Sequence, residues 1–213
     1  MWERVLPHLE ERGLPAYAVD LPSCGSSAGT DTGLRADETA VREVVDGIDG
    51  EVVLCGHSYG GMVVTGAAYG TSNVRRLVYV CGFMPVEGQS LLGTFDGVVP
   101  GFWRIRDDLT VVARPDEGLL RASGLTAEDQ ALLAARRVPQ SLTAYTETPT
   151  GIGWRSIPST YAVCTEDAQF PVELQRSLSL QATDVVELPT AHHPMLVRPG
   201  LVAAMLARYA QDG

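Results

Sequence analysis

The chain has 213 residues, enough for one substantial core or one core carrying an insertion. It is 45% hydrophobic and 20% charged, with a formal net charge of −10, a sequence pI near 4.8 and no lysine. Phosphate backbones repel such a surface, so no nucleic-acid partner is expected. No apolar run reaches the 18 residues of a membrane span, so no membrane partner is expected either. Three of the four cysteines, Cys24, Cys55, Cys81 and Cys164, lie in or at the ends of apolar runs, and none forms a C-x-x-C. That pattern reads as buried free thiols in a reducing, cytoplasmic compartment.

In chain order, Trp2, Val5, Leu6 and Leu9 repeat at helical spacing, and Gly13 ends that helix. Ala16 to Val19 reads as a short strand, followed by a turn-rich loop from Asp20. Val41, Val44, Val45 and Ile48 predict a second helix. Val52 to Cys55 is an apolar run suited to a buried strand, and it leads directly into Gly56-His57-Ser58-Tyr59-Gly60. Helical spacing resumes after Gly61. A strand, a sharp turn and a helix with a serine at the apex is the context a G-x-S-x-G needs to act as a nucleophile elbow. Gly56 and Gly60 are expected to permit close approach around that turn. Val74 to Cys81 is a further strand, nearly continuous in apolar residues, as parallel sheets covered on both faces require.

From Gly82 to about Ile157 the strand–helix rhythm breaks. Residues 84–155 read as a cap inserted between two halves of an α/β core, 1–83 and 156–213. Within it, Thr126 and Asp129 form a capping-box pattern ahead of Leu132 and Leu133. The apolar residues Phe83, Met84, Phe95, Phe102, Trp103 and Trp154 suggest a hydrophobic pocket wall. The rhythm returns with a strand at Thr160 to Cys164, a helix opened by Pro171, a strand at Asp184 to Leu188 and a last helix through Val202, Met205, Leu206 and Tyr209.

A serine hydroxyl needs a base, and that base needs an orienting acceptor. Of four histidines, His8 sits on the first helix, and the turn is expected to point His57 away as local packing. His192 and His193 follow the Asp184–Leu188 strand, while Glu166 and Asp167 follow the Thr160–Cys164 strand. Three successive strand ends can therefore deliver serine, acid and histidine to one cleft, in the chain order of the α/β-hydrolase triad. No cofactor is implied, and no His-Cys-carboxylate spacing fits a metal site.

Trp2-Glu-Arg-Val-Leu-Pro-His-Leu, Asp20-Leu-Pro, Gly56-His-Ser-Tyr-Gly-Gly-Met, Cys164-Thr-Glu-Asp and Ala191-His-His-Pro-Met-Leu-Val-Arg-Pro together resemble the small α/β-hydrolases. The similar branch holds plant methyl-ester esterases, hydroxynitrile lyases and bacterial esterases. The resemblance implies the α/β-hydrolase fold, Ser58 as nucleophile, Asp167 as acid, His192 as base and the Tyr59 backbone N–H as an oxyanion donor. Members of that family begin with a strand and a His-Gly loop that supplies a second oxyanion N–H. This chain starts in the helix that follows, so the expectation is an N-terminally truncated form, which the DNA upstream of Met1 would decide. The lyases' lysine beside the catalytic histidine is replaced by His193, which favours hydrolysis. The expected function is a carboxylesterase-type serine hydrolase acting on a small hydrophobic ester through an acyl-enzyme. A non-catalytic ligand-binding relative, or a lyase or cyclase using the same base, are the alternatives. Oligomeric state is left open, with a homodimer as one option.

Overall fold

The computed structural model describes residues 1–29, 32–113 and 124–211. Part of the expected insertion, 114–123, lies outside the described residues. Four parallel strands form the central sheet: β1 (Val52–His57), β2 (Val74–Val80), β6 (Ser159–Cys164) and β7 (Asp184–Leu188), in the order β1-β2-β6-β7. Leu77 pairs with Ser159 and Cys164 with Leu188, so all four carboxyl ends finish at one edge. Every residue of β6 is buried, which is why its sequence, Ser-Thr-Tyr-Ala-Val-Cys, shows no alternation of polar and apolar positions. Helices α2 (Leu34–Asp46), α3 (Gly60–Ala67), α6 (Val172–Ser179) and α7 (Pro199–Gln211) flank the sheet. The first helix, α1 (Leu6–Glu10), is short, and Gly13 closes it at φ +71, a backbone a side chain would strain.

Two buried tyrosines show how the core supports the nucleophile turn. Tyr79 on β2 and Tyr161 on β6 stack at 6.3 Å. A buried hydroxyl needs a partner. Tyr161 donates to Gly82 O at 2.8 Å, while Tyr79 bonds the Thr65 hydroxyl, which donates to Gly61 O. Both bonds end on main chain beside Ser58.

Between β2 and β6 the described residues, 82–113 and 124–158, form an inserted segment, called the cap below. It contains an antiparallel sheet of β3 (Trp103–Ile105), β4 (Thr110–Ala113) and β5 (Gln140–Ser141), with helices α4 (Ala127–Ala135) and α5 (Thr143–Thr146). Thr126 and Asp129 do form a reciprocal capping box at the start of α4. Arg4 and Glu3 pair with Asp129 and Arg136, fastening α4 to the N-terminal segment. The cap also joins the loop before α2: Ser141 N–H donates to Ser23 O at 2.8 Å, and Gly25 N–H to Pro139 O at 2.9 Å.

The expected strand at Ala16–Val19 does not form. Residues 14–20 carry no ladder pairing in the described structure, although Ala16 and Val19 are packed partly against the core. A strand needs a neighbour about 4.8 Å away, and the nearest candidate edge, that of β1, faces this segment across an open groove that both line. Ser58 N–H donates to Val80 O on the β2 side. Alternation along a parallel strand then turns the main-chain groups of Val53, Cys55 and His57 toward the groove. No described helix is long and apolar enough to cross a membrane.

Candidate active site

β1 ends in a turn whose apex, Ser58, has φ +52. For a non-glycine residue that conformation costs about 1–2 kcal/mol, so the surroundings must hold it. Ser58 O accepts from both Gly61 N–H and Phe83 N–H at 3.0 Å, and its N–H is bound to β2. The glycines around it do different things. A Cβ on Gly56 would lie 2.4 Å from Gly60 O, so only glycine fits there. A Cβ on Gly60 would meet nothing within 4 Å, contrary to the close approach expected at that position. The second tight contact falls one residue later, where a Cβ on Gly61 would lie 2.1 Å from Phe83 O. Main chain entering the cap therefore packs directly on the first turn of α3.

The turn directs the Ser58 hydroxyl to His192. Its Oγ lies 3.2 Å from His192 Nε2, and His192 Nδ1 lies 2.7 Å from Asp167 Oδ2. Asp167 is sealed from solvent and fully partnered. Oδ1 accepts from the Gln169 and Phe170 N–H groups at 2.8 Å, and Oδ2 also accepts from Gln175 Nε2 at 3.1 Å. A carboxylate so placed accepts the Nδ1 proton of His192, which leaves the Nε2 lone pair facing the serine hydroxyl. Gln175 reaches this position because α6 packs under β6; its Oε1 takes the Cys164 N–H at 2.9 Å. Glu166, beside Asp167, is exposed.

His57 is more involved than local packing. Its Nε2–H donates to the His192 carbonyl at 2.6 Å, and the rings lie 4.8 Å apart. It thus clamps the main chain that carries the histidine of the site. Burial, and then the neighbouring His192, push the His57 pKa down to about 3. Burial, followed by His192 and His57, likewise takes His193 well below the ordinary histidine range. Both flanking imidazoles are neutral, so neither supplies a cation beside His192.

One group of possible metal ligands exists among the described residues: ring nitrogens of His57 and His192 and the Cys81 thiol lie within 4.8 Å of one another. Linear spacing hides it because three strand ends contribute. The donor set is poorly suited to a metal. His57 Nε2 is held by a carbonyl, both His192 nitrogens have partners, and burial pushes the Cys81 thiol far above its ordinary range, against the thiolate a metal needs.

Ser58 and His192 open onto a cavity of about 970 Å³ that continues into the groove along β1. Its wall near the serine is aromatic: Phe83 and Phe170 lie 4.7 Å apart, and Phe95 meets Trp103 edge-on at 5.9 Å. Phe83, Phe95, Phe102 and Trp103 line it as expected, but Met84 is wholly buried and Trp154 instead donates to Pro85 O at 2.9 Å. Tyr145 and Phe170, which carried no signal in the sequence pattern, complete the wall.

Residues 1–205 match the family model described as the alpha/beta hydrolase family. The chain is 28% identical to the alpha/beta hydrolase nvfD of Aspergillus novofumigatus, over 99% of this chain and 91% of that protein. It is also 28% identical to the polyneuridine aldehyde esterase of Rauvolfia serpentina, over 97% and 89% respectively. A crystal structure of polyneuridine aldehyde esterase superimposes with a TM-score of 0.83 at 24% identity, covering 99% of this chain and 93% of the other. With Ser58, His192 and Asp167 carried on three strand ends of one parallel sheet, the chain belongs to the alpha/beta hydrolase family.

Proposed function

We propose that the protein is a serine hydrolase that cleaves small hydrophobic carboxylic esters through an acyl-enzyme. The observation that carries this reading is the hydrogen-bonded series Ser58–His192–Asp167, at 3.2 and 2.7 Å. Those separations are within the reach a nucleophile and its general base require. Ser58 Oγ attacks the ester carbonyl carbon while His192 Nε2 takes its proton. The imidazolium is held by the Asp167 carboxylate. The oxyanion is received at the N-terminus of α3, with the Tyr59 backbone N–H as donor, where helix dipole and main-chain donors favour negative charge. The ester C–O bond then breaks, and His192 returns the proton to the departing alcohol. Water attacks the acyl-serine, His192 takes its proton, and the carboxylic acid leaves with Ser58 restored.

The aromatic wall and the absence of a polar side chain on Phe83, Phe95 and Phe170 favour an apolar acyl or alcohol group. Neutral His57 and His193 supply no cation beside His192 to hold a small anionic leaving group, which favours hydrolysis over a lyase reaction. The relatives named above as an esterase and a hydrolase support the same direction. Ser58→Ala is expected to abolish p-nitrophenyl ester turnover and fluorophosphonate labelling; turnover unchanged in that variant overturns the assignment. A second reading, a binding protein without turnover, is favoured by the extension of the cavity along the open edge of β1. A wild-type chain that retains an apolar ligand yet takes no fluorophosphonate would establish it.

A further inference from the structure

Among the buried acids that the mechanism does not use, Asp37 is the one bonded to the nucleophile turn. Asp37, in the first turn of α2, is sealed from solvent, and its carboxylate takes three donors. Ser23 N–H reaches Oδ1 at 2.8 Å, and the Ser23 hydroxyl reaches Oδ2 at 2.6 Å. The third donor is the Tyr59 hydroxyl, also 2.6 Å from Oδ2. Tyr59 is the residue after the serine, the one whose N–H receives the oxyanion in the proposed reaction.

A second arm reaches the same carboxylate from the cap. The Tyr145 hydroxyl donates to Gln140 Oε1 at 2.9 Å, and Gln140 Nε2 donates to Ser23 Oγ at 3.1 Å. Every bond in both arms points its proton toward Asp37, an arrangement in which each bond polarises the next. At the far ends the Tyr59 and Tyr145 rings stack at 5.8 Å, and Tyr145 meets Trp103 edge-on at 4.7 Å. The arms and the stack therefore close a ring that joins α2, the nucleophile turn, β5 and α5. Tyr59, Gln140, Tyr145 and Trp103 all line the cavity that holds Ser58.

A carboxylate buried this deeply is costly unless its donors are fixed: burial raises the Asp37 pKa, against the opposing pull of Ser23 and Tyr59. If only packing were needed, an apolar side chain at 37 with phenylalanine at 59 would fill the same space without a charge. We propose that Asp37 is a positioning residue: through Tyr59 and the Ser23–Gln140–Tyr145 arm it holds the oxyanion donor and the cap's aromatic wall in one rigid frame. This rests on the serine hydrolase reading. Misplacement of a donor by a fraction of an ångström acts on the transition state more than on ground-state binding. Loosening the frame therefore lowers kcat by a larger factor than it raises KM.

The test is a double-mutant cycle in the full chain, using Tyr59→Phe and Gln140→Leu, which cut the two arms at residues with no hydrogen bond between them. Steady-state kinetics on p-nitrophenyl butyrate is the readout, with near-UV circular dichroism and melting temperature as fold checks. Each single variant is expected to lose roughly tenfold in kcat, with KM changed by a smaller factor than kcat. The double variant should be no slower than the worse single one, because either cut releases the same frame. Where Tyr59→Phe does not fold, Asp37→Asn takes its place in the cycle. A folded single variant with kcat within twofold of wild type, losses confined to KM, or losses that multiply in the double variant would each overturn the inference. A wild type that neither turns over esters nor takes a fluorophosphonate would overturn the hydrolase reading itself, and this inference with it.

Discussion

Glu38 ties the stability of the fold to pH in a direction that can be worked out. It lies on α2 with its carboxylate across Gly66 of α3, where an added Cβ would stand 1.9 Å from Oε1. It is 4% exposed, and both oxygens lie 3.3 Å from the Thr150 N–H. Burial raises its pKa from 4.5 to about 7, against the opposing pull of Thr150. The folded state thus keeps this proton to higher pH than the unfolded chain does. The stabilising contribution is complete below the unfolded value and is lost as pH rises through about 7. A shift of that size corresponds to an upper bound of about 3 kcal/mol, and relaxation of the surroundings reduces it to roughly 1–2 kcal/mol. Glu38→Gln keeps an acceptor for Thr150 and removes the titration. The expected result is that wild type loses stability relative to the variant between pH 5 and 8.5. The difference corresponds to about 2–8 °C in melting temperature for a chain of this length. Denaturant midpoints or thermal melts at half-unit pH steps measure it. Subtracting the variant's profile cancels the general repulsion of a chain carrying net charge −10. Parallel pH profiles for the two proteins would refute the reasoning.

Other expectations follow from the site. Asp167→Asn leaves the shape intact but no longer fixes the proton on His192 Nδ1, so kcat should fall about 10⁴-fold while fluorescence-detected unfolding shifts little. Gly60→Ala should fold and turn over esters, since its Cβ meets open space, whereas Gly61→Ala, driven 2.1 Å from Phe83 O, should lose activity or fail to fold. On the acid side, His57 is depressed to about 3, so its contribution is present above the unfolded value near 6.5 and is lost as pH falls toward 3. Between pH 6.5 and 5, unfolding free energy should drop by up to about 2 kcal/mol on its account, and His57→Gln, read by denaturant titration, should lack that share of the slope.

The legibility of the chain follows from how each signal is encoded. β2 was readable because Leu77 to Val80 are buried on both faces and leave an unbroken apolar run. Ser58, Asp167 and His192 could be nominated because each sits just past such a run, so topology alone brings them to one edge. The cap sheet was not readable: β3 and β5 have three and two residues and owe their pairing to partners far away in sequence. His57 was assigned to packing because adjacency to Ser58 says nothing of the His192 carbonyl, which arrives from residues 135 positions away. Asp37 carries no signal in the sequence, because acids in the first turn of a helix are common for dipole reasons. Only its enclosure by Ser23 and Tyr59 separates it from those.

The Ala16–Val19 segment shows the limit most directly. Its four apolar or aromatic residues satisfy every local requirement of a strand, and its backbone runs without helix or turn. A strand, however, is defined by a neighbour, and here the edge of β1 stands across a groove. Local propensity specified an extended chain; pairing is a property of two segments, and no window along one of them can contain it. The same reasoning bears on the site. The series Ser58–His192–Asp167 is held by β1, β6, β7 and α6, with Gln175 and His57 as braces; Gln175 lies outside the groove lining, and His57, which lines it, braces the site through the His192 carbonyl. Filling the groove with a bulky side chain, as in Ala18→Trp, should therefore change ligand affinity or stability before it changes the 3.2 Å approach of His192 to Ser58. Fluorophosphonate labelling rate, compared with the melting temperature of the same variant, separates the two. A labelling rate that collapses while the fold stays intact would show that the catalytic geometry leans on the groove after all.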